Sequence, residues 1–392
     1  MIPRFRPTFT LRHIREAALD WTKASAEPTL ADTLARMLGF EHAVVTGSGR
    51  AALTLALNFL GNEGEVVIPA YNCLAVAEAV MAAGWTPVFA DVGEDGVNMT
   101  LETLKAALTP NTRVVMPTHQ FGLPCEIQAI TDFCRSRQLF VLEDAAPALG
   151  AMVGGKPAGS FGDAAVVSFH LTKVLAAVQG GCLLMRSKAM AAATRKHLGP
   201  GPASGGWPQL AKAVALRLLT NPLVYGGLAR VRARRQGEDL YQVLEMAKAN
   251  GLDDATVRCP AFCARLAVKQ LDGLATNVAR RNALGRLYAR ELKGINGLSF
   301  PQWPGDTVAA LVQFPLLVPD KPKTYYAMLR RGVDVSWNFR YCCSASLGHH
   351  PARSVYSAKH LIGLPTYPSL TDLQAQEIGR ALGESLKETN PA

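Results

Sequence analysis

Val141-Leu142-Glu143-Asp144-Ala145-Ala146 is followed by Gly159-Ser160-Phe161-Gly162-Asp163, then by Ser168-Phe169-His170-Leu171-Thr172-Lys173, and the run closes at Gly180-Gly181. One short part of the chain therefore offers a carboxylate at a strand end, a hydroxyl and a lysine five positions apart, and glycines that let backbone approach a flat ligand. These are the parts a pyridoxal 5'-phosphate site needs. A lysine amine must form a Schiff base with the aldehyde, and a carboxylate must keep the pyridine nitrogen protonated so that the ring accepts electrons. Lys173 and Asp144 suit those two catalytic tasks.

In these blocks the chain resembles the DegT/DnrJ/EryC1/StrS family of aminotransferases, the sugar-aminotransferase branch of fold-type I pyridoxal phosphate enzymes. That family's pattern reads E-D-A-A, then G-S-F-G-D, then S-F-x-x-x-K. The likeness runs from about Leu38 to the C-terminus with one unlike insertion. It implies an α/β fold, a mostly parallel central sheet with a smaller C-terminal α+β domain. The expected division is a helical arm over 1–40, a large cofactor-binding domain over 41–255 and a small domain over 256–392. The resemblance also implies a homodimer, and a phosphate contact from Ser168.

Toward the N-terminus, Ala31, Leu34, Met37 and Leu38 fall on one helical face. The strand Ala43 to Thr46 then runs into Gly47-Ser48-Gly49-Arg50 and an apolar helix from Ala51 to Leu60. A strand, a glycine turn and a helix start make an anion site, because free N–H groups and the helix dipole both favour phosphate. By resemblance Ser48, Gly49 and Arg50 take that role, with the Arg50 guanidinium adding a charge-assisted bond.

Strands at 65–69, 86–90, 113–117 and 139–143 alternate with helices at 75–83, 101–108 and 127–137, the pattern of βαβ units with ligands at the carboxyl ends of the strands. Pro69-Ala70-Tyr71-Asn72-Cys73 resembles the family segment that lays an aromatic ring on the cofactor. Cys73 occupies the ring position, so stacking passes to Tyr71, is replaced by a thiol contact, or is lost with Tyr71 as a packing residue. Pro147 stands where the family has a donor to the cofactor's phenolic oxygen, and Gln120, in a neighbouring strand-end loop, is the candidate replacement.

From 198 to 252 the likeness lapses. Pro208 to Arg235 mixes leucines and valines with Lys212, Arg217, Arg230, Arg232, Arg234 and Arg235, broken at Asn221-Pro222 and Gly226-Gly227. The stretch predicts two short amphipathic helices, docked on the protein's own surface or a partner subunit, resting on an anionic membrane, or covering the substrate entrance. Beyond it, Arg258 matches the arginine of the family's N-x-R-M-S segment, while Thr256 replaces the asparagine that reaches the neighbouring subunit's cofactor phosphate. Leu364-Pro365-Thr366-Tyr367-Pro368-Ser369-Leu370-Thr371 matches the family's closing L-P-x-x-P-x-L-T. Arg340 precedes it, placed to receive a donor carboxylate or to make a structural ion pair.

The 392 residues, 49% hydrophobic, suffice for one large core and a second lobe. The formal charge of +10 suits an acidic small substrate or an anionic surface, and no nucleic-acid motif accompanies it. The eight cysteines lack metal-ligand spacing and read as reduced thiols of a cytoplasmic protein, with membrane contact at most peripheral. The function expected is transfer of an amino group from glutamate or glutamine to a keto group of a nucleotide-linked sugar. A non-sugar or lipid-linked acceptor at the membrane surface, or a non-catalytic regulatory protein with the same fold, are the alternatives. Lys173 argues against the family's sugar dehydratases, in which histidine replaces the lysine.

Overall fold

A computed structural model describes residues 1–20, 26–199, 206–227, 258–339 and 341–389. Helices α1 (Leu11–Leu19) and α2 (Glu27–Leu38) precede the large lobe. That lobe continues through β1 (His42–Thr46), α3 (Gly49–Leu60), β2 (Glu65–Pro69), α4 (Leu74–Ala82), β3 (Thr86–Ala90), α5 (Leu101–Ala107) and β4 (Thr112–Val115). It then runs through α6 (Ile127–Ser136), β5 (Phe140–Asp144), a small hairpin of β6 (Met152–Val153) and β7 (Lys156–Pro157), β8 (Ala164–Ser168), β9 (Gly181–Met185) and α7 (Lys188–His197). Strand β4 stops before Pro117, which has no N–H to continue a ladder.

The large sheet has the order β1-β9-β8-β5-β4-β2-β3. Only β9 is reversed, antiparallel to both β1 and β8, and the remaining pairs are parallel. Helices cover both faces, which is why strands such as Ala164–Ser168 are nearly continuous apolar runs. Ala164 and Val166 point into the core beneath α3, α4 and α7, while Ala165 and Val167 point to the opposite core with α2. Each fully buried valine or leucine on these faces stabilises the fold by about 1.5–3 kcal/mol.

In the atypical insertion, α8 (Trp207–Leu219) and a further helical turn at 222–227 break at Asn221-Pro222. Ala213 is buried against the large-lobe core. The opposite stripe of α8, Ala211, Lys212, Ala215, Leu218 and Leu219, is exposed, and Leu223 beyond it is 90% exposed. Residues 200–205 and 228–252 of the insertion, including Arg230 to Arg235, lie outside the described residues. Among the described residues no helix is long and apolar enough to cross a membrane.

The chain resumes with α9 (Ala261–Val268), α10 (Leu274–Glu291), β10 (Gln313–Leu317), α11 (Lys321–Arg330), α12 (Ala352–His360), β11 (Leu361–Pro365) and α13 (Asp372–Thr389). Residues 259–278, assigned from sequence to the second domain, bury Cys259, Phe262, Leu274 and Val278 in the large-lobe core. Leu284 and Leu287, further along α10, belong to the small-lobe core, so α10 joins both lobes. There β10 and β11 pair antiparallel under α10, α11 and α13.

Candidate active site

The chemistry gathers at one edge of the large sheet, where the parallel strands end. Because β9 is reversed, its first residue, Gly181, arrives at that same edge and pairs with both Thr46 and Ser168, the last residues of β1 and β8. A bridge between Ser48 and Gly180 extends the contact. A Cβ on Gly181 would stand 2.6 Å from the Gly49 amide nitrogen, and one on Gly49 would stand 3.0 Å from the Ser168 Cβ, so glycine is what permits the close approach. The Ser48 hydroxyl accepts from the Ala51 N–H at 3.0 Å, capping α3, and the Ser168 hydroxyl accepts from the His170 N–H at 3.3 Å. Both keep an O–H to donate, beside the unpaired N–H groups that begin any helix. That is an anion cradle.

Asp144 ends β5 at the same edge, 4% exposed. One carboxylate oxygen accepts from the Ala146 N–H at 3.0 Å and the other from the Thr118 hydroxyl at 3.2 Å. Thr118 in turn accepts from the Asn72 side-chain amide at 3.0 Å. Burial raises the Asp144 pKa above the usual carboxylate range, against the pull of the Lys173 ammonium and the two hydrogen bonds. Lys173 is half-buried on the turn after β8, where its backbone N–H donates to the His170 carbonyl at 2.9 Å, and its side-chain amine makes no hydrogen bond or ion pair to another described residue. Five residues on, Val178 holds φ 72°, a left-handed backbone that a β-branched residue rarely adopts. An anion cradle, a desolvated carboxylate and an amine within reach of its charge fit a phosphate-bearing pyridine aldehyde.

Adjacent Glu143 points the other way, and sequence reasoning missed its role. It accepts from the backbone N–H groups of Gly159, Phe161 and Gly162 at 2.5, 2.9 and 3.1 Å, and from His119 Nε2 at 2.7 Å. The Cys125 N–H donates to His119 Nδ1, leaving Nε2 to carry the proton. Asp163 accepts from the Val141 N–H at 2.8 Å. The acids at 143 and 163 thus fasten the glycine loop to β5, which is why the two sequence blocks occur together.

Several expected site residues are placed differently. Arg50 turns a guanidinium nitrogen to Glu78 at 2.7 Å on α4, so it offers the cradle its helix-start N–H rather than a loose cation. Tyr71 is fully buried, its ring packed edge-on to Phe339 and tilted against Phe121, which makes it a packing residue and not a ring over a ligand. Cys73 is half-buried at the start of α4 and packs near Cys343. Gln120 is 3% exposed and donates its side-chain amide to the Tyr71 carbonyl at 2.9 Å, a tie between strand-end loops that replaces the expected contact with a phenolic oxygen. Arg258 donates to the Gly199 carbonyl at 2.6 Å and pairs with Glu27 on α2, so it fastens the arm instead of facing a substrate. Arg340 and Thr256 lie outside the described residues. A surface hollow of about 420 Å³ lined by Glu63, Glu65, Thr86 and Arg113 lies at the opposite edge of the sheet, where the strands begin.

A profile of the DegT/DnrJ/EryC1/StrS aminotransferase family matches residues 12–383. The chain is 39% identical over 158 residues to the UDP-N-acetyl-3-dehydro-alpha-D-glucosamine 3-aminotransferase of Acidithiobacillus ferrooxidans, covering 40% of this chain and 43% of that protein. That match therefore spans less than half of the relative's length. It is 27% identical over 365 residues to the dTDP-4-dehydro-2,3,6-trideoxy-D-glucose 4-aminotransferase of Saccharopolyspora spinosa, covering 90% of this chain and 87% of that one. Among solved structures, the aminotransferase TlmJ from Streptoalloteichus hindustanus has a TM-score of 0.77 at 24% identity, over 99% of this chain and 100% of that one, a likeness of fold.

Proposed function

Since the chain belongs to the DegT/DnrJ/EryC1/StrS aminotransferase family, we propose that it is a pyridoxal 5'-phosphate-dependent transaminase that moves an amino group from glutamate or glutamine to a keto group of a nucleotide-linked sugar. The observation that carries this reading is the pair at the strand ends, a buried Asp144 carboxylate under the charge of the Lys173 ammonium. The names of relatives that act on UDP- and dTDP-linked dehydro sugars support the acceptor class.

When bound, the cofactor supplies an aldehyde that carries nitrogen and a cationic ring that accepts the electron pair left by a broken C–H bond. Lys173 would hold it through its side-chain amine. The same Nζ, when not bonded to the cofactor, would take the proton from the donor's Cα. Asp144 would hold the proton on the ring nitrogen, and Thr118 and the Ala146 N–H keep the carboxylate in place. The Ser48, Gly49 and Ser168 cradle would receive the phosphate.

The test is a half-reaction screen. Protein loaded with pyridoxamine phosphate is offered nucleotide-linked 3-keto and 4-keto sugars and simple keto acids, and the spectrum is followed back to the aldehyde form. Return with a keto sugar supports the assignment; return with keto acids and with no sugar overturns it. The assembly we propose is a homodimer, checked by sedimentation velocity. The exposed stripe of α8, leucines and alanines with Lys212, supports a further reading, peripheral contact with an anionic bilayer. Pelleting with acidic vesicles that weakens as salt rises supports it, and absence of pelleting at low salt removes it.

A further inference from the structure

The turn that carries Lys173 is held by side chains from other parts of the chain. Asn277 on α10 donates its amide to the Val174 carbonyl at 2.9 Å, next to the lysine. Gln270 donates to the Ala176 carbonyl at 2.8 Å, and the Thr8 hydroxyl accepts from the Ala176 N–H at 3.3 Å while donating to Gln270 at 2.7 Å.

Asn277 is itself oriented. Arg281, one helical turn along α10, donates from Nε to the Asn277 Oδ1 at 2.7 Å and from Nη1 to the Leu311 carbonyl at 2.8 Å. A guanidinium has donors only, so it selects the oxygen end of the amide and turns the NH₂ end to Val174. Arg281 is 3% exposed, and burial lowers its pKa to about 9. No carboxylate pairs with it among the described residues. A buried cation on neutral acceptors is a costly way to fill space, and an apolar side chain would pack there without that penalty. What the guanidinium adds is direction.

We propose that Asn277 is a positioning residue for Lys173, holding the Val174 carbonyl so that the amine points to Asp144, with Arg281 fixing the orientation of Asn277. The inference rests on Lys173 being the covalent anchor. It explains how a lysine on an irregular turn is aimed without a ladder to hold it. Because α10 also enters the small lobe, the anchor is braced against the helix that joins the two lobes.

The test uses the full chain and the variant Asn277→Asp. Aspartate keeps the acceptor for Arg281 and gives it a counter-charge, but sets an oxygen against the Val174 carbonyl. Three quantities are measured: the melting temperature without cofactor, covalent capture of pyridoxal phosphate by absorbance and borohydride-fixed mass, and affinity for pyridoxamine phosphate, which fits the same pocket but has no aldehyde. The expected result is a melting temperature no lower than the parent's, unchanged pyridoxamine phosphate affinity, and covalent capture weakened about tenfold, the worth of one buried hydrogen bond. Arg281→Met, which leaves Asn277 in place without its orienting donor, is expected to give the same split more weakly. Capture at the parent's level in both variants overturns the proposal. So does an equal loss of both ligands, which marks damage to the whole pocket. A parent that captures no pyridoxal phosphate sinks the functional reading itself, and this inference with it.

Discussion

Glu143 and Asp144 are neighbours on one strand, both buried, and they face opposite sides of the sheet to opposite effect. Glu143 is saturated by three backbone N–H groups and His119, and it holds the 159–162 loop against β5. Asp144 accepts two hydrogen bonds among the described residues and is left with acceptor capacity toward Lys173 and the edge where the strands end. A carboxylate whose lone pairs are all taken is a structural joint, whereas one partly supplied and desolvated is poised to bind a cation. Burial alone does not distinguish them; the number and kind of donors does.

The largest effect that sharpens this contrast is on the Asp144 side. Lys173→Ala is expected to abolish the borohydride-sensitive absorbance and to lower turnover by at least about a thousandfold, since both the anchor and the proton carrier are gone. Retention of the band would place the anchor elsewhere. On the other side, Glu143→Ala leaves three buried N–H groups and His119 without an acceptor. A loss of about 3 kcal/mol or more is expected in urea unfolding of the cofactor-free protein. Glu143→Gln should lose less, because it keeps one acceptor oxygen.

Asp144→Asn separates stability from chemistry. The folded-state pKa of Asp144 is raised, so its contribution to stability is full below the ordinary carboxylate range and is lost as pH rises through the folded value. At neutral pH the cofactor-free Asp144→Asn variant should therefore match or exceed the parent by on the order of 1 kcal/mol, while its turnover collapses. A fall in stability equal to that of Glu143→Gln would erase the distinction between the two acids. The smallest effect belongs to Thr118→Val, which removes one donor from Asp144. The Asp144 pKa should then rise further, and cofactor affinity should fall by roughly fivefold, about the worth of one ordinary hydrogen bond, read by titration of the absorbance.

Much of this was legible before any coordinates. Strands β2 and β3 begin and end where the apolar runs do, and β5 is displaced by one residue, because runs covered on both faces announce themselves as continuous apolar segments. Lys173, Asp144, Ser48, Gly49 and Ser168 stand in blocks whose residue types match the chemistry proposed for them. The misreadings share one cause. Gln120, Arg50 and Arg258 are polar side chains whose partners, Tyr71, Glu78 and Glu27, lie 28 to 231 positions away. The role of Glu143 was hidden for a related reason, since most of its donors are backbone groups that carry no residue identity.

By itself, the sequence determined the alternation of strands and helices, the order of the site's blocks and the glycines that allow close approach, because these follow from local periodicity and from what each residue type permits at its own position. Only the tertiary structure decided which polar groups are already satisfied, that reversed β9 brings Gly181 to the edge where β1 and β8 end, and that Asn277 and Arg281 brace the lysine turn. Hydrogen-bond satisfaction is a property of partners, and partners are chosen by packing across hundreds of residues rather than along the chain.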